Sequence, residues 1–177
     1  MNTLEAINRR KSVRSFTGQA PDDERLQKIL KAGEEAPVGM GKYEDVHLTV
    51  IRDKTILKSI GDNAAAMMGR PGMDPLYGAP VLVLVSVRKP EPMMVNVAYS
   101  NAAVIVENMA LAAADLGVGA CHIWGAVAPI QRSQDVMASL KLPENFVPAC
   151  GIALGATEES YDARAIDDKR IAVDYLG

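Results

Sequence analysis

Pro80-Val81-Leu82-Val83-Leu84-Val85-Ser86-Val87 is the stretch whose reading decides the fold. Apart from Ser86 it is wholly apolar, with valine at 81, 83, 85 and 87. A short run without polar alternation predicts a central strand buried on both faces, so other elements must cover it above and below. The main cover is the stretch from Val95 to Leu116, small and apolar enough to predict one long helix, with Gly117 as its natural stop. Asn96, Asn101, Glu107, Asn108 and Asp115 interrupt it, which suits a protein interior and poorly suits a bilayer. This helix is apolar or small on nearly every side and so predicts enclosure all round. In a chain of 177 residues, full enclosure points to a second subunit covering one side.

The flanking sequence supplies the remaining elements. Thr3 can cap a first helix through about Arg10, and Pro21-Asp22-Asp23-Glu24 opens a second, with acids at its positive end. A glycine loop, Val38-Gly39-Met40-Gly41-Lys42, leads to a strand at Val46–Ile51 and a helix from about Lys54 to Met68. Gly69 to Pro75 reads as a loop. After the long helix come a strand at Gly119–Trp124, a short helix from about Gln131 to Leu140 and a strand at Val147–Gly155. Strands and helices intermix around one central sheet, which is α+β, and residues 1–177 read as a single domain.

Composition narrows the function. Hydrophobic residues make up 49%, charged residues 23%, and the net charge is −3, too small for nucleic acid or a membrane surface to be the main partner. The first residues carry no charged segment followed by an apolar run, so the expected location is the cytoplasm. The two cysteines, Cys121 and Cys150, fall within buried strands and read as small hydrophobes in a reducing compartment.

Arg10-Lys11-Ser12-Val13-Arg14-Ser15-Phe16 is the densest chemical signal. Two guanidiniums four residues apart, with a serine between them, can grip a phosphate and a second electron-rich group. The same cluster can equally be a solvated basic patch at a helix end, favoured by the helix dipole. Other motifs fail. Gly117-Val118-Gly119 lies between a helix and a strand, the reverse of a dinucleotide fingerprint. Gly39-Met40-Gly41-Lys42 has no following serine or threonine to complete a P-loop. His47, Cys121 and His122 have the wrong spacing for zinc, and no metal site is expected.

The ordered set of features resembles the FMN-dependent nitroreductase family. The carriers are Arg10 to Phe16, Ala36-Pro37 before the glycine loop, the long helix closing at Leu116-Gly117-Val118-Gly119, Phe146-Val147-Pro148 ahead of Gly155, and Lys169-Arg170. The resemblance implies a three-layer sandwich with a central mixed sheet, working as a homodimer with FMN at the interface. In that family's pattern Arg10 holds the FMN phosphate, with Lys11 beside it, Ser12 bonds the ribityl or phosphate region, and Arg14 faces flavin N1 and O2. A fixed cation there favours the reduced flavin, which carries negative charge at that edge. Pro37, Val38 and Gly39 match the loop that passes beside the flavin, and Ile123, Trp124 and Gly125 match the segment whose backbone faces N5. The Trp124 side chain itself reads as either site or core. Arg170, helped by Lys169, is either a second phosphate cation or part of a solvated tail.

The resemblance implies an oxidoreductase passing electrons from NADH or NADPH to a nitroaromatic, a quinone or a similar small acceptor, with no acid–base side chain. One departure stands out. The polar residues that family members often carry after Pro37 are replaced by Val38-Gly39-Met40-Gly41-Lys42. That loop leaves room for a rival reading, an FMN-binding sensor or carrier of the same fold without robust turnover.

Overall fold

A computed structural model describes residues 1–167 and 169–177. Five helices and four strands follow one another as α1 (Thr3–Arg9), α2 (Asp23–Glu34), β1 (Val46–Ile51), α3 (Lys54–Met67), β2 (Val81–Arg88), α4 (Val95–Asp115), β3 (Gly119–Ile123), α5 (Gln134–Leu140) and β4 (Phe146–Gly155). The strand order is β1-β2-β4-β3.

The apolar run behaves as its composition dictates. Every residue of β2 from Val81 to Val87 is buried. Val81, Val83, Val85 and Val87 pack with α2 and α4, while Leu82 and Leu84 pack with α3 and α5 on the opposite face. Period-2 alternation therefore feeds two separate cores from one strand. The arrangement is a three-layer sandwich, helices on both sides of a single sheet.

The sheet is not mixed: all three pairings are antiparallel. The connections explain this. Ile51 at the end of β1 lies opposite Leu82 at the start of β2. Helix α3 runs out from β1, and the loop after it returns the chain to where β1 ended, so β2 must run back.

Two helix starts, those of α1 and α5, differ from the sequence expectation. Asn2, not Thr3, caps α1: its side chain accepts the Glu5 N–H while the Glu5 carboxylate accepts the Asn2 N–H, a reciprocal capping box. Asp22 caps α2, accepting the Arg25 N–H at 2.8 Å. The segment expected to be one helix from Gln131 divides into a 3₁₀ turn at Ala128–Arg132 and α5, whose cap is Ser133.

Helix α4 is buried along Ala102, Ile105, Val106, Met109, Ala110, Ala113 and Ala114, between α2 and the sheet. With the turn before it, the helix is long and apolar enough by composition to cross a membrane, yet its central face is occupied by protein. It is not enclosed all round. Val97 and Val104 remain exposed on its outer side, as do Leu4 and Ile7 of α1.

Candidate functional site

Strand β3 forms one edge of the sheet, and the chain leaving α1 runs along it. The Val13 N–H donates to the Ala120 carbonyl at 2.9 Å, and the Val13 side chain is fully buried. Thr17 N–H then donates to the Ala156 carbonyl, and the Thr157 hydroxyl to the Ser15 carbonyl. These bonds fix Arg10 to Phe16 against the sheet edge, leaving Arg14 exposed and Arg10, Lys11 and Ser12 half-buried.

Burial pushes the Cys121 thiol up, while the charges of Arg14 and Arg10 act in the opposite direction. The Val13–Ala120 bond sets the whole Arg10–Arg14 segment beside this stretch of β3. Lys11 Nζ lies 2.9 Å from Glu159 Oε2, and the other oxygen of Glu159 accepts the Arg14 N–H at 3.2 Å. That pairing holds the Glu159 carboxyl below its ordinary range. Glu107 of α4 lies 3.2 Å from Arg10 Nε and 3.1 Å from His122 Nε2.

The segment after β4 is fastened beside the same cluster. The Tyr161 hydroxyl donates to the Val118 carbonyl at 2.7 Å. Arg164 donates to the carbonyls of Asn8 and Ile7, and Asn8 Nδ2 donates to the Arg164 carbonyl. Arg164 is therefore the tail cation that reaches this region, and its charge acts on Glu107. Lys169 and Arg170 are exposed in a turn closed on Asp167, with no side-chain contact to the cluster among the described residues.

At the end of β3, Ile123 is buried while Trp124 and Gly125 are exposed. Trp124, 46% exposed, is not a core residue of this chain. Its carbonyl accepts the N–H groups of Val127 and Ala128, whereas the Gly125 N–H donates to no group among the described residues. A Cβ at Gly125 would lie 2.9 Å from Met68 Cε, so the end of α3 closes over this turn.

The Pro37 loop lies elsewhere. Pro37 is exposed and Val38 buried, and the Gly39 N–H donates to Asn101 Oδ1 at 3.0 Å. Asn101 and Glu107 are six residues apart on α4, about 9 Å along the axis and about 120° round it. Within one chain the loop and the arginine cluster are therefore separate. The loop borders a cavity of about 250 Å³ lined by Met40, Lys42, Arg88, Lys89 and Asn101. Met40 stands there with φ 59° and its side chain 69% exposed, a conformation that disfavours ordinary side chains. No three metal-ligating side chains come together among the described residues.

Glu107, Glu159, Tyr161 and Arg164 escape the sequence reading. Glu107 carries a signal, as the one acidic side chain inside an otherwise apolar and small-residue helix ahead of Asp115. The other three lie in a polar tail without periodicity, where sequence gives no partner.

An antiparallel sheet between two helical layers, with a cationic cluster on its edge strand, defines a three-layer α+β protein of the nitroreductase type. The nitroreductase family model matches residues 7–156, and the chain belongs to that family. A protein of Archaeoglobus fulgidus, named provisionally as an NADH dehydrogenase/NAD(P)H nitroreductase, is 30% identical over 171 residues, covering 94% of this chain and 91% of its own. A nitroreductase of Bacteroides fragilis, solved with bound FMN, superimposes with a TM-score of 0.82 at 26% identity over 99% of this chain and 100% of its own. The nitroreductase of Desulfitobacterium hafniense, also solved with FMN, gives 0.84 at 24% identity, covering 99% and 100%.

Proposed function

We propose that this chain is an FMN-dependent oxidoreductase that takes electrons from NADH or NADPH and gives them to a nitroaromatic, a quinone or a similar small acceptor. The observation that carries the reading is the fixing of the Arg10–Arg14 segment along edge strand β3 by the bond from the Val13 N–H to the Ala120 carbonyl. The donor set fits FMN: neither Nη group of Arg10 makes a hydrogen bond among the described residues, and the Gly125 N–H is free and exposed. FMN, when bound, supplies the hydride-accepting and electron-passing chemistry.

The chain's own groups then have distinct tasks. Arg10 and Ser12 bind the phosphate and ribityl end, with Lys11 adding positive charge. Arg14 stabilises negative charge at the pyrimidine edge. The backbone of Ile123, Trp124 and Gly125 borders the reactive edge, where the Gly125 N–H can donate to a ring nitrogen. Pro37, Val38 and Gly39 sit too far round α4 to join this cluster in the same chain, so they serve the site of a partner copy. The exposed apolar residues Leu4, Ile7, Val97 and Val104 support a homodimer, as does the apolar tail from Ile171 to Leu176. Lys169 and Arg170 would join the phosphate end only in a dimer that brings them to it. Two free buried thiols accord with a cytoplasmic setting.

A second reading, an FMN-binding sensor or carrier, draws on the Pro37 loop: Val38 is buried, and the Gly39 N–H is already engaged by Asn101. Stopped-flow mixing of the FMN-loaded protein with NADH and with NADPH separates the two. An enzyme bleaches its flavin within seconds and recovers the colour on adding a quinone. A flavin that stays oxidised with both donors leaves the sensor reading standing.

A further inference from the structure

The carboxylate of Glu107 is shared. One oxygen lies 3.2 Å from Arg10 Nε and the other 3.1 Å from His122 Nε2. Three elements meet at this point: the segment after α1, helix α4 and edge strand β3. Because Glu107 takes the Nε side of the guanidinium, the two Nη groups are left for another acceptor, and a guanidinium presents its donors in a rigid fork. Half-exposed ion pairs contribute little to stability. The Glu107 side chain is 44% exposed, so orientation, rather than folding energy, is what this contact can determine.

We propose that Glu107 is a positioning residue, itself held by His122, that aims Arg10 at the flavin phosphate. The inference rests on the reading of Arg10 as the phosphate ligand. His122 Nε2, 3.1 Å from the far oxygen of Glu107, fixes the carboxylate, and the carboxylate in turn fixes the guanidinium, so the two contacts together narrow the directions in which the Arg10 Nη groups point.

The surrounding charges agree with this layout. Arg10 and Arg164 act on Glu107 from the segments after α1 and β4, and His122 acts from β3. Burial works to raise the Glu107 carboxyl, yet the bond from His122 and these positive charges prevail and hold it below its ordinary range. Lys11, Arg14 and Glu159 form the adjoining set of charges, with Cys121 and Tyr161 beneath them. The carboxylate of Glu159 is occupied by Lys11 and the Arg14 N–H, leaving Glu107 as the acid that addresses Arg10.

The test is a fluorescence titration of the flavin-stripped protein at pH 8 with FMN and with riboflavin, which lacks the phosphate. Glu107→Gln keeps the side-chain shape but loses the charge that holds Nε. It should weaken FMN binding about tenfold at pH 8 and leave riboflavin unchanged. Glu107→Asp should recover part of the loss. His122→Phe, which cannot hold the Glu107 carboxylate, should weaken FMN binding several-fold and leave riboflavin unchanged. Riboflavin binding also reports whether each variant is folded.

Glu107→Gln binding FMN as tightly as the parent or more tightly, or His122→Phe binding it as the parent does, overturns the inference. An Arg10→Gln arm separates the two levels. If it too binds FMN like the parent, the phosphate reading of Arg10 fails and this inference with it. If only the Glu107 and His122 variants are silent, this inference fails alone.

Discussion

Val13 donates its N–H to the Ala120 carbonyl at 2.9 Å while its side chain is wholly buried, so the segment bearing Arg10, Ser12 and Arg14 is pinned to β3 from within. The backbone bond sets the register and the buried isopropyl group keeps the segment from lifting. Val13→Ala removes two methyl groups from a closed site and should cost about 2 kcal/mol of stability in urea unfolding. FMN should bind more weakly as well, because the cations lose their fixed footing. A variant of unchanged stability would show that the segment is held by its hydrogen bonds alone.

Gly39 approaches α4 too closely for a side chain. A Cβ there would lie 2.9 Å from Val97 Cγ1, a branched group held on a helix. Gly39→Ala should therefore destabilise by about 1–3 kcal/mol, and adding Val97→Ala should restore most of the loss. Thermal melts of the two single variants and the double variant measure this coupling directly.

Two other glycines should respond in opposite ways. At Gly155 a Cβ would meet Pro80 Cδ at 2.6 Å, a rigid ring, whereas at Gly125 it would meet only the terminal Met68 Cε at 2.9 Å. Gly155→Ala should be poorly tolerated, losing about 2 kcal/mol or more. Gly125→Ala should fold with a loss below about 1 kcal/mol as the methionine swings aside. Comparable midpoints for both in chemical denaturation would contradict this ranking.

Burial carries the Cys150 thiol from its ordinary 9.0 up to about 12, and the Tyr161 hydroxyl from 10.0 up to about 12. Between pH 10 and 12 the folded chain keeps two protons that the unfolded chain has released. Stability conferred below this window is therefore lost as pH rises, by about 1.4 kcal/mol per pH unit for each group. Cys150→Ser should remove about half of that slope, and Tyr161→Phe a similar share. Urea midpoints collected from pH 8 to 12 test the sign and the size.

The sheet and its layers were legible because burial leaves a periodic trace. The valines of β2 mark both cores, and the bounds of β1 could be read from composition alone. The pairing direction was not legible, since it depends on where the loop after α3 returns the chain. Which side of α4 meets this chain's own core was not legible for a related reason: small apolar residues serve equally against a core or against another subunit. At the site, Arg10 to Arg14 could be found because their spacing is local and their chemistry distinctive. Arg164 could not, because its place beside Asn8 is fixed by hydrogen bonds spanning 156 residues of chain. His122 was visible only as a rejected metal ligand; its partner Glu107 lies on a different element, and only the folded chain joins them.

The central claim is that Arg10 to Arg14 form a flavin grip with separate phosphate and ring contacts. Equilibrium titration of the stripped protein with FMN and riboflavin, in the parent, Arg10→Gln and Arg14→Gln, tests it most directly. Losing one charged hydrogen bond costs about 1.5–3 kcal/mol, roughly 10- to 150-fold in affinity. Arg10→Gln should lose that factor for FMN alone, and Arg14→Gln for both flavins. Parent protein that binds neither flavin, or two variants that bind FMN as the parent does, would contradict the account.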